Sequence, residues 1–394
     1  MSFKEVLKMP GIPALLFTQF MVAFGFGVIL PILPFYTLSL GAQPFELGLL
    51  TATFALMSLI CSPIFGKLSD RVGRKKVMMM GIGAFFLAYL VFAVSDSLWM
   101  AFLARAIEGV AAGAVFPACI SLLSDLTTDH QRGRAMGLFS MMFSLGFILG
   151  PAVGGIASAI SVQTAFLVAA GLTVLNLASV QIQLKEPAKE KTESKDLVQK
   201  EITLLQRLSS PLLFLFLSSF MITFMIGGID ATLALYTSAQ LGFQSHEVGL
   251  LFAFIGALIM VMQFVTGSLV NRFGELKLVT AGLLLSGTGF FLLQYATDWP
   301  SLLAPLAVFV AGNALVFPSV SSMLSKRSSA NRGAVMGLAG SFNSLGQIIG
   351  PLLAGFLYGW MPSSAFWGMA IAIMAYAAFF ALVAIPRLSK PAAG

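Results

Sequence analysis

Three charged side chains lie deep within stretches that are otherwise apolar: Arg105, Glu108 and Asp230. A charge at the centre of a membrane-crossing helix costs about 2.5–3.5 kcal/mol on insertion scales and normally faces a cavity or a partner. Arg105 and Glu108 are three residues apart, so a helix places them on one face, where they can pair. Asp230 sits in Gly227-Gly228-Ile229-Asp230-Ala231, and its helical face carries Thr223, Ile226, Gly227, Leu233 and Ala234 but no base. An acid in an apolar cavity can hold a cation when ionised and release it when protonated, which is the chemistry of an exchanger. These three residues are therefore the candidate proton-coupling groups. The competing reading is a static Arg105–Glu108 pair that only fixes helix packing.

The elements that must position them are long apolar blocks. Of 394 residues, 58% are hydrophobic and 10% charged, against roughly 25% charged in a soluble domain. Twelve blocks of membrane-crossing length are predicted near 12–38, 47–66, 77–95, 98–122, 135–158, 163–183, 210–238, 248–270, 278–295, 299–324, 333–358 and 364–385. Their continuous apolar character excludes the alternating strands of a barrel. With the N-terminus in the cytoplasm, 22 of the 23 Lys and Arg fall in inner segments, and Arg105 is the remaining one. The net charge of +7 then reports topology, so no nucleic-acid partner is expected. The first apolar stretch is too long for a signal peptide and is expected to be retained. Cys61 and Cys119 fall within spans and there are two His, so neither a disulfide framework nor a metal site is expected.

The chain also repeats itself. Gly66-Lys-Leu-Ser-Asp-Arg-Val-Gly73 is echoed by Gly267-Ser-Leu-Val-Asn-Arg-Phe-Gly274, and Val115-Phe116-Pro117 by Val316-Phe317-Pro318, both at an offset of 201. Arg132-Gly133, Met136-Gly137 and Gly150-Pro151 recur as Arg332-Gly333, Met336-Gly337 and Gly350-Pro351 at an offset of 200. This predicts an all-α polytopic membrane protein of two related six-helix bundles, 1–183 and 210–394, joined by a charged cytoplasmic linker over 184–209. Parallel repeats suit alternating access around a midplane site.

Gly66-Lys67-Leu68-Ser69-Asp70-Arg71-Val72-Gly73-Arg74-Lys75-Lys76 resembles the signature loop of the major facilitator superfamily. The resemblance implies a conformational latch of Gly66, Asp70, Arg71, Gly73 and Arg74, with Asp70 accepting from a facing helix N-terminus or pairing with a nearby Arg. Gly66 is expected to let two helices approach closely. In the fifth span, Gly146-Phe-Ile-Leu-Gly150-Pro151-Ala-Val-Gly154-Gly155 resembles the motif of proton-driven exporters within that superfamily. Gly146 and Gly155 belong to the same motif, and its Gly150, Gly154 and Pro151 together are expected to allow tight packing against a helix of the other half. Gly27-Val-Ile-Leu-Pro31-Ile-Leu-Pro34-Phe-Tyr36 and Leu103-Ala-Arg105-Ala-Ile-Glu108-Gly109-Val-Ala-Ala-Gly113 resemble the twelve-helix drug:proton antiporter branch, as in Gram-positive quinolone and multidrug exporters. Two departures stand out: Glu108 replaces the Gln or Gly common there, and Asn313 stands where some relatives carry an acid.

The resemblance implies a proton-coupled antiporter of hydrophobic, often cationic drugs in the bacterial plasma membrane. It would have both termini inside, act as a monomer and use the proton gradient in place of a cofactor. Its partners would be small hydrophobic substrates, protons and the lipid bilayer. Candidate substrate-binding residues on spans expected to line the cavity are Phe20, Phe24, Phe116, Met141, Met142, Phe143, Met225, Tyr236, Phe254 and Asn343. Gln19, Gln263, Asn313 and Gln347 are further polar candidates. A narrower exporter of a sugar, a metabolite or a lipid-linked molecule is the alternative. No Ser/His/Asp constellation suggests an enzyme.

Overall fold

The computed structural model describes residues 3–7, 9–186, 211–327 and 332–388. Of the expected linker, only residues 184–186 are among them. The first half runs through α1 (Phe3–Leu7), α2 (Ile12–Ile29), α3 (Leu33–Ser39), α4 (Pro44–Val72), α5 (Arg74–Val94), α6 (Leu98–Asp125), α7 (Asp129–Ser158) and α8 (Val162–Gln183). The second runs through α9 (Leu212–Leu241), α10 (Ser245–Phe273), α11 (Glu275–Leu292), α12 (Trp299–Arg327), α13 (Arg332–Trp360) and α14 (Pro362–Phe379). A π-helical turn, Phe380–Ala384, and a last short helix, Ile385–Leu388, follow. No strand occurs among the described residues.

Every predicted span has its helix, and the first is divided. Pro31 and Pro34 break it between α2 and α3, because each removes a backbone donor and crowds the preceding turn. Eleven of the described helical segments are long and apolar enough to cross a membrane. The twelfth is α13, whose 29 residues include Gly340, Asn343, Ser344 and Gln347 along one face. That polar stripe dilutes its apolar character without shortening it.

The chain forms two compact units: residues 1–188 with 233–257, and residues 189–232 with 258–394. Within each, the same contacts recur in repeat register. In the first, Gly146 and Gly150 press on the backbone of Phe20 and Phe24, and Pro151 lies on Gly27. In the second, Gly346 and Gly350 press on Phe220 and Phe224, and Pro351 lies on Gly227, each partner 200 residues on. Small residues let helix backbones meet where lipid offers no hydrophobic drive to associate. Polar ties repeat as well. Thr18 Oγ1 bonds Asn176 Oδ1 at 2.9 Å, and Ser218 Oγ lies 2.8 Å from Tyr376 Oη at the corresponding places.

Helix ends follow the same rule. The Gln43 N–H donates to Glu46 Oε2 at 2.7 Å, and the Gln244 N–H donates to Glu247 Oε2 at 2.8 Å. Gly73 and Gly274 link α4 to α5 and α10 to α11 at φ of 110° and 82°. A side chain there would be strained, which is why glycine holds both places.

Candidate functional site

Arg105 and Glu108 are 1% and 0% exposed on α6, and Arg105 Nη1 donates to Glu108 Oε2 at 2.6 Å. The i,i+3 spacing of the sequence makes this pair on a single helix face. The Arg105 guanidinium also lies 5.0 Å from the centroid of the Phe54 ring on α4. Phe54, Phe26, Phe147 and Phe143 follow as a chain of ring contacts with centroids 5.5–6.4 Å apart. α6 reaches α4 through glycine: a side chain at Gly109 would strike Phe54 O, and one at Gly113 would strike Cys61 Cβ. The motif read from the sequence thus combines a charge pair with the small residues that bury it.

The pair is incompletely satisfied. Arg105 Nε and Glu108 Oε1 are buried without a hydrogen-bond partner among the described residues. In the second repeat the same positions, 201 residues on, are Leu306 and Phe309, buried at 0% and 3% exposure. The same packing is therefore met without charge, so the fold itself does not require the pair.

Asp230 belongs to the second unit. It is half-buried, has a polar or electrostatic partner, and corresponds in repeat register to buried Leu30. The absence of a base on its own helix face does not leave it solitary.

In the loop region, Asp70 is exposed and lies 3.5 Å from Arg74 Nη2, one of the two contacts the sequence offered for it. Arg74 also pairs with Asp125 and donates to Ser121 O at 2.9 Å. Glu186 caps α5: its Oε1 accepts from Arg74 N at 2.6 Å, and its Oε2 accepts from Lys75 N at 3.1 Å. Arg71 is exposed and engaged in an interaction of its own. Gly66 differs from expectation: a side chain there would meet nothing within 4 Å among the described residues, so none of their helices approaches closely at that point. In the second repeat, Glu275 pairs with Lys326 at 2.5 Å and accepts from Ser322 at 2.8 Å. These are the positions of Arg74, Asp125 and Ser121 with the charges exchanged.

The fifth-span motif packs on two sides, against α2 of its own half and against α10. Gly146, Gly150 and Gly154 meet Phe20, Phe24 and Val28 of α2. Toward the other sequence repeat, Gly155 meets Ser245, His246 and Gly249, Pro151 O lies against Gly249, Phe147 and Ile148 lie against Gly256, and Ser158 Oγ lies 2.7 Å from Ser245 Oγ. Those residues of α10 belong to the first compact unit. The expected contact with a helix of the other half is therefore made along the motif by Phe147, Ile148, Pro151 and Gly155, while Gly146, Gly150 and Gly154 face α2.

Of the candidate substrate residues, Met141 and Phe143 are exposed, while Phe20, Phe116, Met142 and Phe254 are half-buried. Phe24, Met225 and Tyr236 are buried at 5%, 0% and 5% exposure. Asn343 lines a cavity of about 110 Å³ in the second unit with Ser219, Ile222, Phe317 and Met336. Its carbonyl accepts from Thr223 Oγ1 at 2.6 Å, and its buried Oδ1 has no partner among the described residues. Asn313 Nδ2 donates to Ile222 O at 3.2 Å. Tyr89, Asp125, Glu186 and the Glu275–Lys326 pair escaped the sequence reading. Applying the repeat offset residue by residue would have marked the last of these.

The family model described as Major Facilitator Superfamily matches residues 15–244 and 215–394. The chain is 29% identical over 353 residues to quinolone resistance protein NorA of Staphylococcus aureus strain COL, covering 87% of this chain and 89% of that one. It is 28% identical over 349 residues to multidrug resistance protein 1 of Bacillus subtilis strain 168, with the same coverage. Among solved structures, the nucleoside transporter NupG aligns with a TM-score of 0.80 at 14% identity, over 96% of this chain and 100% of that one. The peptide transporter POT bound to sulfate aligns with a TM-score of 0.79 at 18% identity, over 98% and 99%. The match over nearly the whole chain, together with the helices and repeats above, places the protein in the Major Facilitator Superfamily as a multi-pass membrane transporter.

Proposed function

We propose that this transporter is a proton-coupled antiporter that exports hydrophobic, often cationic drugs across the plasma membrane by alternating access. Both termini would face the cytoplasm. The observation that carries the reading is the buried Arg105–Glu108 pair, placed where the second repeat uses Leu306 and Phe309. A fold that packs equally well without charge retains one here at considerable desolvation cost, and proton exchange is a use that repays it. Asp230 would be the second proton group, able to neutralise a cation when ionised. The relatives named for quinolone and multidrug resistance support drugs as the cargo, as does the run of Phe rings leading away from Arg105. Export agrees with the fifth-span motif, and both termini inside agree with the placement of 22 bases. Protons and hydrophobic substrates would be the only partners beyond the bilayer, and a single chain would suffice.

A second reading is a narrower exporter of a sugar, a metabolite or a lipid-linked molecule. It is favoured by the polar face of α13 and by Asn343 Oδ1, which lines its cavity without a partner among the described residues. The test is accumulation in inverted vesicles with an imposed proton gradient, using a hydrophobic cation, a quinolone and a panel of sugars. Gradient-driven accumulation of the cation supports drug export. Accumulation of a sugar alone would replace it with the second reading.

A further inference from the structure

The polarity of the first repeat extends beyond the charge pair. Arg105 pairs with Glu108 on α6 and lies over Phe54 on α4, and Tyr89 on α5 lies against Gly25 on α2. In repeat register the second half has Phe309, Phe290, Met225, Ile255 and Leu306, all buried. Phe290 meets Phe309 edge to face at 5.6 Å. A column that is apolar throughout in one repeat is thus polar in the other at three of its five positions.

Tyr89 is the member with no role assigned so far. Its side chain is 2% exposed and lies within electrostatic range of both Glu108 and Arg105. Its hydroxyl lies against α2 at Gly25, where a Cβ would come within 2.1 Å of Oη. Only glycine admits it there, and the corresponding Met225 would not. On the other side, Glu108 Oε1 and Arg105 Nε are buried without hydrogen-bond partners among the described residues. Along α2, α4, α5 and α7, no further carboxylate or base lies at this depth. α2 has no titratable group; α7 has none after Arg134; α4 has only Cys61 between Glu46 and Lys67; α5 has only Tyr89 after Lys76.

We propose that Tyr89 is a positioning residue for the proton-coupling site: its hydroxyl, seated against Gly25, is the hydrogen-bond donor that Glu108 Oε1 takes up during the transport cycle. The hydroxyl keeps its proton. It orients the carboxylate and holds it available to exchange a proton with water or to face Arg105. The inference rests on the antiport reading of the same site.

The test is Tyr89→Phe and, separately, Gly25→Ala, each reconstituted in liposomes and assayed for gradient-driven transport of a hydrophobic cation across a pH series. Tyr89→Phe copies the second repeat's own solution and is expected to fold. Loss of one hydrogen bond to an ionisable group should move the midpoint of the pH profile by about one unit. Gly25→Ala, which displaces the hydroxyl, should move it in the same direction. A wild type indifferent to the gradient would sink the antiport reading and this inference with it. A responsive wild type whose midpoint is unchanged in Tyr89→Phe would sink this inference alone.

Discussion

Replacing Arg105 by Met while keeping Glu108 leaves a carboxylate that is 0% exposed without its cation. Breaking one side of a buried pair costs about 3–5 kcal/mol. With an unfolding entropy of roughly 2 cal/mol/K per residue, a chain of 394 residues would lose on the order of 5 °C in Tm. Replacing both partners, as Arg105→Met with Glu108→Leu, removes the desolvation cost along with the attraction. It also relieves the two unpartnered atoms, Arg105 Nε and Glu108 Oε1. The double variant should therefore recover wild-type Tm or exceed it, as the Leu306 and Phe309 positions of the second repeat imply, yet transport without response to a proton gradient. Thermal unfolding of detergent-purified protein gives the first quantity, and gradient-driven uptake in liposomes gives the second. A double variant that is stable and still fully gradient-driven would show that the pair is packing alone and would refute the reasoning. A single variant as stable as wild type would refute the energetic half of it.

Three further outcomes are expected. Asp230→Asn should leave folded protein in the membrane but abolish gradient-driven accumulation; full proton-driven transport by that variant would remove Asp230 from the coupling scheme. Arg74→Glu or Asp125→Lys alone should destabilise, and together they should restore about 0.2–1 kcal/mol, since the second repeat already uses Glu275 with Lys326 and both groups are partly exposed; a thermal double-mutant cycle measures the coupling, and zero coupling would contradict the equivalence. Gly150→Ala and Gly350→Ala should each cost about 1–3 kcal/mol, because the new Cβ would come within 2.4 Å of Phe24 O and Phe224 O. Gly66→Ala, which meets nothing within 4 Å, should be neutral in the same unfolding assay.

The helices were legible because membrane crossing demands long apolar runs, and no other signal in the chain is as strong. The break at Leu30–Ile32 was foreshadowed by Pro31 and Pro34, although the sequence was read as one span there. The Arg105–Glu108 pair was legible because i,i+3 geometry is local to one helix. What failed was anything needing knowledge of which helix faces which. Gly66 was assigned a close approach from its motif, but its neighbours could not be read from spacing. Gly150 and Gly154 were expected against the other half and lie on α2, whereas Pro151 does meet α10 at Gly249. Tyr89 was invisible because its significance comes from Gly25 and Glu108, 64 and 19 residues away in the chain. The reversed pairs Arg74–Asp125 and Glu275–Lys326 were hidden for a different reason. Exchange of charge preserves the interaction between the repeats while erasing the residue identity that marks a repeat in the sequence.

The central claim, that a buried acid exchanges protons for an exported substrate, is tested most directly by proton movement itself. Purified protein would be reconstituted into liposomes enclosing a pH-sensitive dye, with a hydrophobic cation added outside and no other ion gradient. Antiport predicts a lumenal pH change that begins with substrate addition, scales with substrate flux, and vanishes in the Arg105→Met, Glu108→Leu double variant. Substrate flux with no accompanying pH change in the wild-type protein would contradict it.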